Sequence, residues 1–125
     1  MAKRILLIDD DEDIRDVIML LLEGAGYSVV ALGTAQDIVT LVKEVEPDVV
    51  LLDVIIGNLD GRILCKQLKS NKLTSHIPII MISAISDLYN AIPDACANDV
   101  ISKPFSNSTL INRVERQVAN QAYMK

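Results

Sequence analysis

Short apolar runs alternate with amphipathic stretches along the whole of this 125-residue chain, and this alternation constrains the fold more than any other feature. The runs are of strand length and almost continuously apolar, as expected of strands that are buried on both faces of a sheet. Between them, apolar residues recur with the spacing of a helix that packs one side against a sheet. The predicted strands occupy residues 5–8, 28–32, 48–53, 77–82 and 100–101.

Local signals mark the ends of the predicted helices. Thr34 with Asp37 resembles a capping box at the start of the second helix, and Ser106 is expected to cap the last one. Pro93 lies where a fourth helix is expected, so that helix should be short or irregular. The apolar positions that form the helical stripes are Ile14, Val17, Ile18, Leu21, Leu22, Ala25, Ile38, Leu41, Val42, Val45, Ile63, Leu64, Leu68, Leu110, Ile111, Val114 and Val118.

Repeated strand–helix units imply a parallel sheet with helices on both faces, because the connections between parallel strands are right-handed crossovers. We therefore predict an α/β, doubly wound, flavodoxin-like fold whose five strands lie in the order 2-1-3-4-5. Neither a linker nor a low-complexity tract interrupts the alternation, so residues 1–125 are interpreted as one domain.

Composition excludes several classes of protein. Lys and Arg total 12 against 17 Asp and Glu, a net charge of −5, which argues against direct nucleic-acid binding. The apolar runs are shorter than the ~20 residues that span a bilayer, and the four apolar residues after Arg4 are too few for a signal-peptide core. Two cysteines, Cys65 and Cys96, are too few for a disulfide scaffold or a zinc site, so both are interpreted as packing residues in a cytoplasmic protein.

Chemically useful side chains follow four of the five predicted strands. Asp9 and Asp10 come after the first strand, Asp53 ends the third, Ser83 follows the fourth and Lys103 follows the fifth. Open α/β sheets bind their ligands at the carboxyl ends of the strands, and in the predicted order the first and third strands are neighbours. The sequence therefore predicts that three carboxylates meet at one edge of the sheet.

Such a cluster needs a compensating charge, since two carboxylates ~4 Å apart repel by about 4 kcal/mol at an effective dielectric constant of ~20. Oxygen ligands without His or Cys favour Mg²⁺. An ammonium and a hydroxyl can both contact phosphoryl oxygens, and a carboxylate can itself be phosphorylated. The set predicts an aspartate that accepts a phosphoryl group. Taken singly the residues have plainer interpretations, and we assign Asp11, Glu12 and Asp13 to helix capping.

At this point the sequence resembles the receiver domains of response regulators in two-component signalling. The resemblance covers essentially the whole chain, and the motifs occur together in the family's order and spacing. They are Ile8–Arg15, Glu46–Asp53, Asp60-Gly61, Pro78–Ala84 and Lys103–Phe105.

The resemblance implies a Mg²⁺-dependent phosphoacceptor site. Asp53 would take a phosphoryl group from a phosphohistidine on a sensor histidine kinase or a histidine phosphotransfer protein. Asp10 and Asp53 would ligate Mg²⁺ directly, Asp9 would contribute through water, and the backbone carbonyl of Ile55 would supply a further ligand. The domain would act as a signalling switch on a downstream protein rather than as an enzyme with a diffusible substrate.

The remaining implied roles belong to the switch. Lys103 would pair first with Asp53 and then with the phosphoryl group, and Ser83 would move to hydrogen-bond that group. The bond between Lys103 and Pro104 is usually a cis peptide in the family.

Some positions depart from the family pattern, and two others bear on the lifetime of the phosphorylated state. Val100 stands where the family usually has Tyr or Phe, which puts the usual output face in doubt, and Gly57 replaces a frequent proline, which should loosen the loop after the phosphoacceptor. Ile55 and Ile85 stand where side chains of the family flank the path of hydrolytic water. Because neither can orient water, we expect slow autodephosphorylation.

Two other functions remain open on the sequence alone. One is a small phosphatase with an aspartyl-phosphate intermediate, which would want a carboxylate at the position of Ile55. The other is a degenerate receiver that serves only as a docking surface, although the acids and the lysine are all present. The sequence also leaves open whether the domain stands alone or belongs to a longer protein with an output domain, and whether it forms homodimers.

Overall fold

The computed structural model describes residues 2–84 and 97–123, with side chains described as far as residue 120. Strands and helices alternate along most of the described chain, as the sequence predicts. They are β1 (Arg4–Ile8), α1 (Glu12–Gly24), β2 (Ser28–Leu32), α2 (Ile38–Val45), β3 (Val49–Asp53), β4 (Ile55–Ile56), β5 (Leu59–Asp60), α3 (Gly61–Ser70), β6 (Ile79–Ala84), β7 (Asp99–Lys103) and α4 (Asn107–Tyr123).

Five of these strands form one parallel sheet in the order β2-β1-β3-β6-β7. With the short strands β4 and β5 set aside, this is the predicted order 2-1-3-4-5, and the doubly wound α/β fold is confirmed. Every residue of β3 is buried, as expected of a central strand that is covered on both faces. Parallel pairing brings the carboxyl ends of β1, β3, β6 and β7 to one edge.

The apolar side chains of the strands divide between two cores, one on each face of the sheet. In β1, Leu6 and Ile8 face the core that α2 and α3 cover, whereas Ile5 and Leu7 face the core that α1 and α4 cover. This alternation follows from the two-residue period of a strand. Cys65 on α3 is fully buried in the first core, which confirms that it is a packing residue.

Three of the predicted inward-facing residues are exposed, and one of them, Ala25, lies just after the end of α1. Val17 on α1 and Ile63 on α3 are both 55% accessible, so the sequence prediction was wrong for them. The buried positions of α1 are Ile18 and Leu22, which are one turn apart and fix the centre of the stripe. Val17 lies about 120° from that centre at 3.6 residues per turn, where the sheet no longer covers it.

The second helix begins later than the capping-box pattern predicted. Its N-cap is Asp37, not Thr34, and Asp37 adopts a left-handed conformation with φ 49°. The Asp37 carboxylate accepts hydrogen bonds from the backbone N–H of Thr40 at 3.4 Å and from its hydroxyl at 2.8 Å. Ser106 does cap the last helix as predicted, since its hydroxyl oxygen accepts the N–H of Thr109 at 3.1 Å.

Strand boundaries also shift at β6, which begins at Ile79 rather than at residue 77. The preceding residue, Pro78, has no N–H to donate, but its carbonyl accepts a hydrogen bond from Val50 at 3.0 Å. The predicted fourth helix, with Pro93 and Cys96, lies outside the described residues. The bond between Lys103 and Pro104 is cis, as the resemblance implied.

The hairpin formed by β4 and β5 was not predicted. Its antiparallel pairs, Ile55 with Asp60 and Ile56 with Leu59, return the chain to the end of β3. There the N–H of Gly61 donates to the carbonyl of Val54 at 2.6 Å. A side chain at Gly61 would overlap the backbone carbonyl of Asp53, so only glycine lets α3 start so close to the strand end.

We therefore expect Gly61→Ala to destabilise the fold by at least about 2 kcal/mol, because the added methyl group must push the start of α3 away from β3. Urea denaturation followed by circular dichroism measures this free energy of unfolding. Gly24→Ala is the matched control, since a Cβ at Gly24 meets no atom within 4 Å. A loss at Gly61 no larger than that at Gly24 would contradict the proposed close contact.

Candidate functional site

Three carboxylates meet at the carboxyl edge of the sheet. The strands β1 and β3 are neighbours, with Ile8 opposite Leu52, so the residues that follow them come together. Carboxylate oxygens of Asp9, Asp10 and Asp53 lie within 4.8 Å of one another. The sequence prediction that these acids form one cluster is therefore confirmed.

The ammonium group of Lys103 bridges two of these acids. It lies 3.0 Å from Oδ2 of Asp53 and 3.3 Å from Oδ2 of Asp9. Asp9 is fully buried and Asp53 is 7% accessible, so both carboxylates are largely withdrawn from water. One cation thus compensates two buried anions, and the contact joins three strand ends that are distant in sequence.

Asp10 differs from the other two acids because it is exposed. Its Oδ2 accepts a hydrogen bond from the backbone N–H of Gly57 at 2.8 Å. Gly57 has a left-handed φ of 60° in the turn between β4 and β5. The sequence indicated only that Gly57 loosens this loop, whereas the structure gives it a specific contact that ties the hairpin to the acidic cluster.

Burial raises the pKa of the Asp53 carboxyl above its ordinary value. The hydrogen bond from Lys103 lowers this pKa and the charge of Asp9 raises it, and the balance remains on the raised side. Burial by itself would lower the pKa of the Lys103 ammonium. The hydrogen bond and charge of Asp53, together with Asp9, outweigh that effect, so the pKa of Lys103 is raised and the lysine stays charged.

The donor set of the cluster suits a hard divalent cation. All three side chains offer carboxylate oxygens, and Mg²⁺ is commonly held by one or two carboxylates together with water. The exposure of Asp10 leaves the cluster open to solvent on one side, which provides room for such water. Ile55, whose carbonyl was expected to be a further ligand, belongs to β4, and its N–H donates to Oδ1 of Asp53 at 3.5 Å.

Ser83 lies at the same edge, and its hydroxyl is hydrogen-bonded to the backbone rather than to Asp53 in the described structure. It is fully buried in β6, one residue after Ile82, which pairs with Asp53. Its hydroxyl donates to the backbone carbonyl of Ala84 at 2.9 Å. Val100 is half-buried in β7 and packs against the core that α2 and α3 cover.

Sequence reasoning did not find the backbone contacts that two glycines and one arginine make near this site. Gly57 donates to the carboxylate of Asp10, Gly61 donates to the backbone carbonyl of Val54, and Arg15 donates through Nη1 to the backbone carbonyl of Asp9 at 2.9 Å. These contacts involve backbone atoms, so no pairing of side-chain types in the sequence indicates them. Asp11, which was assigned to capping, does cap α1 by accepting the N–H of Asp13 and Ile14.

Comparison with known proteins agrees with this geometry. A family model described as the response regulator receiver domain matches residues 5–115. The chain belongs to the response regulator receiver family. The receiver is 32% identical over 120 residues to the DNA-binding response regulator MtrA of Mycobacterium leprae, covering 94% of the chain and 52% of MtrA. It is 36% identical over 117 residues to the phosphate regulon transcriptional regulatory protein PhoB of Pseudomonas aeruginosa, covering 92% of the chain and 51% of PhoB.

Solved structures of other receiver domains are also similar to this receiver. A CheY-like receiver domain protein from Methanospirillum hungatei superposes with a TM-score of 0.89 at 26% identity and covers 100% of both chains. The receiver domain of NtrX from Brucella abortus superposes with a TM-score of 0.83 at 30% identity and covers 92% of this chain and 98% of that one. The receiver spans about half the length of the curated relatives it matches.

Receiver domains of response regulators are signalling switches, and they generally bind Mg²⁺ at an acidic pocket. In this receiver Asp9, Asp10 and Asp53 form an acidic cluster. Within the part of the chain that is described, no helix is both long enough and apolar enough to cross a membrane.

We expect Asp53→Asn to raise the melting temperature of the metal-free receiver at about pH 7. The raised pKa of Asp53 means that its protonated form stabilises the fold at low pH, and this stability is lost as the pH rises through that pKa. Asparagine keeps the neutral form at every pH. The difference in melting temperature should therefore shrink as the pH is lowered toward about 4.

Thermal unfolding followed by circular dichroism in EDTA, at several pH values, measures this difference. Asp16→Asn, on the exposed side of α1, is the control for the substitution itself. If Asp53→Asn were less stable than the unmodified receiver at about pH 7, the attraction of Lys103 would outweigh the burial of Asp53 and the stated direction would be wrong.

Proposed function

We propose that this receiver accepts a phosphoryl group on Asp53 from a phosphohistidine, carried by a sensor histidine kinase or a histidine phosphotransfer protein, in a reaction that requires Mg²⁺. The observation that carries the proposal is the position of Asp53. It is a largely buried carboxylate that is held by Lys103 at 3.0 Å inside a cluster of acids at the end of the central strand. Carboxylates in such sites act as nucleophiles toward phosphorus.

Asp10 and Asp53 are the proposed direct ligands of Mg²⁺. Asp9 would act through a water molecule, and the backbone carbonyl of Ile55 would be a further ligand. When bound, Mg²⁺ neutralises negative charge on the transferring phosphoryl oxygens. Asp10 fits this role because it is exposed and fixed through Gly57 at 2.8 Å. Asp9 fits an outer position because it is fully buried.

In the transfer, an oxygen of Asp53 attacks phosphorus while the bond from phosphorus to the imidazole nitrogen breaks. The imidazole leaves with the bonding electron pair, and Asp53 becomes an acyl phosphate. Lys103 stabilises the ionised form of Asp53 before attack, because its ammonium donates to Oδ2 of that carboxylate. After transfer the same ammonium can donate to a phosphoryl oxygen, which balances the added charge.

Ser83 is the proposed sensor of this change. Its hydroxyl is already committed to the carbonyl of Ala84 at 2.9 Å, so it must break that bond before it can donate to the phosphoryl group. Rotation of a buried side chain at the end of β6 would alter the residues that follow it. Val100 offers no large ring to follow the movement, so the output of this receiver should depend on Ser83.

Downstream function is a proposal by analogy with the longer relatives. MtrA and PhoB are a DNA-binding response regulator and a transcriptional regulatory protein, and each is about twice the length of this chain. We propose that the receiver controls an output protein or domain through contact and does not itself bind DNA, consistent with its net charge of −5. A homodimer is one form that such contact could take.

Two alternatives are less well supported. A phosphatase that turns over a small phosphate ester would want an acid near the nucleophile, but the nearby hairpin position carries the apolar, 54% accessible side chain of Ile55. A domain that served only as a docking surface would not need the ion pair of Asp53 and Lys103, which is energetically costly to bury.

Incubation with acetyl phosphate and MgCl₂ should add one phosphoryl group per chain, as measured by intact-protein mass spectrometry. Asp53→Asn should remove the label entirely, and EDTA should suppress it, because both the nucleophile and the cation are required. Asp16→Asn, an exposed change on α1, should leave labelling unchanged. Undiminished labelling of Asp53→Asn would refute the proposal, and continuous release of phosphate without an adduct would favour the phosphatase.

The lifetime of the phosphorylated state should depend on Ile55. Ile55 follows Asp53 by two residues in β4, and its apolar side chain cannot hydrogen-bond a hydrolytic water. In Ile55→Asn an amide could orient that water, and one hydrogen bond of about 1 kcal/mol corresponds to roughly fivefold faster loss of phosphate. Ile63→Asn is the matched control, because Ile63 is 55% accessible and Ile55 is 54% accessible. Equal half-lives in the two variants would contradict the role of Ile55. The second expected position, Ile85, lies outside the described residues.

A further inference from the structure

Asp9 is held by a hydrogen bond at each of its polar atoms. Its backbone N–H donates to the carbonyl of Leu32 at 3.1 Å, and its backbone carbonyl accepts Nη1 of Arg15 at 2.9 Å. Its Oδ1 accepts the N–H of Asp11 at 2.9 Å, and its Oδ2 accepts Lys103 at 3.3 Å. Since the residue is fully buried, these bonds together determine where its carboxylate points.

The contact from Arg15 depends on the residue that follows β2. The guanidinium lies against Gly33, where an added Cβ would be 2.6 Å from Nη1 and 3.6 Å from Cζ of Arg15. Gly33 does not need glycine for its backbone conformation, since its φ is not among the positive values. The absence of a side chain there makes room for the guanidinium.

Arg15 forms its hydrogen bond with a backbone carbonyl rather than with a carboxylate. Arginine is well suited to bind carboxylates through two hydrogen bonds, and a carboxylate is the usual partner of a guanidinium. In the described structure Arg15 donates instead to a backbone carbonyl. It therefore holds the chain at Asp9 without occupying a carboxylate oxygen that a cation could use.

We infer that Arg15, seated against Gly33, is a positioning residue for the acidic cluster. It fixes the backbone of Asp9 one residue before Asp10, and so sets the separation of these two carboxylates from Asp53. The inference rests on the proposed function, because it takes the cluster to be a Mg²⁺ site. Outer contacts of this kind typically change metal affinity 10–100-fold when they are removed.

Charge and positioning predict opposite results when the guanidinium is removed. If Arg15 acted only through its charge, Arg15→Ala would strengthen Mg²⁺ binding, because a cation near the site would be gone. If Arg15 acts by positioning, Arg15→Ala should weaken Mg²⁺ binding by about tenfold. Titration of MgCl₂ into the receiver by isothermal calorimetry measures the dissociation constant directly, without any phosphoryl transfer.

Gly33→Ala tests the same contact while keeping the charge of Arg15. The methyl group should displace the guanidinium and weaken Mg²⁺ binding to a similar extent, and the double variant should be no weaker than Arg15→Ala alone. Arg15→Lys keeps a charged donor and should retain more affinity than Arg15→Ala. The matched controls are Arg116→Ala, at an exposed arginine of α4, and Gly24→Ala, where the Cβ meets no atom within 4 Å.

Unchanged or tighter Mg²⁺ binding in Arg15→Ala, or a Gly33→Ala variant that behaves like Gly24→Ala, would overturn the inference while leaving the proposed function intact. Melting temperatures in EDTA show whether a loss of affinity is merely a loss of folding. Failure of the unmodified receiver to bind Mg²⁺ would instead overturn the proposed function itself. The two failures are thus distinguished by the unmodified protein.

Discussion

Two largely buried carboxylates, Asp9 and Asp53, share the single ammonium of Lys103 at 3.3 and 3.0 Å. Removing ionised groups from water is strongly unfavourable unless opposite charges and hydrogen bonds compensate for it. Here the compensation is incomplete, because one positive charge faces two negative ones and the pKa of Asp53 is still raised. The site therefore has an excess of negative charge. A divalent cation bound at the open side near Asp10 would neutralise that excess.

The surrounding structure keeps these charges together. The side chains of Asp9, Asp53 and Lys103 lie at the carboxyl ends of β1, β3 and β7. Because these strands are parallel, their carboxyl ends lie at the same edge of the sheet. Backbone contacts then refine the geometry, with Gly57 holding Asp10, Gly61 bringing α3 against β3, and Arg15 holding the backbone of Asp9. The buried apolar strands form a rigid frame for the site, and the hairpin after Asp53 positions Asp10 through the N–H of Gly57.

Part of this site can be predicted from the sequence because strand ends are visible as the ends of apolar runs. Asp9, Asp10, Asp53 and Lys103 were recognised in that way, and the structure brings them together. The hairpin of β4 and β5 could not be predicted, since its strands have two residues each and leave too short a pattern. The exposure of Val17 could not be predicted either, because the width of a helical stripe depends on the sheet that covers it.

The sequence by itself determined the alternation of strands and helices, the chemical types at the strand ends and the resemblance to receivers, because these follow from local patterns along the chain. Only the tertiary structure decided which oxygen each donor contacts, why glycine is required at position 61, and why the guanidinium of Arg15 lies against Gly33. These features depend on distances between backbone atoms of segments that are far apart in sequence, and such distances exist only after the sheet has formed.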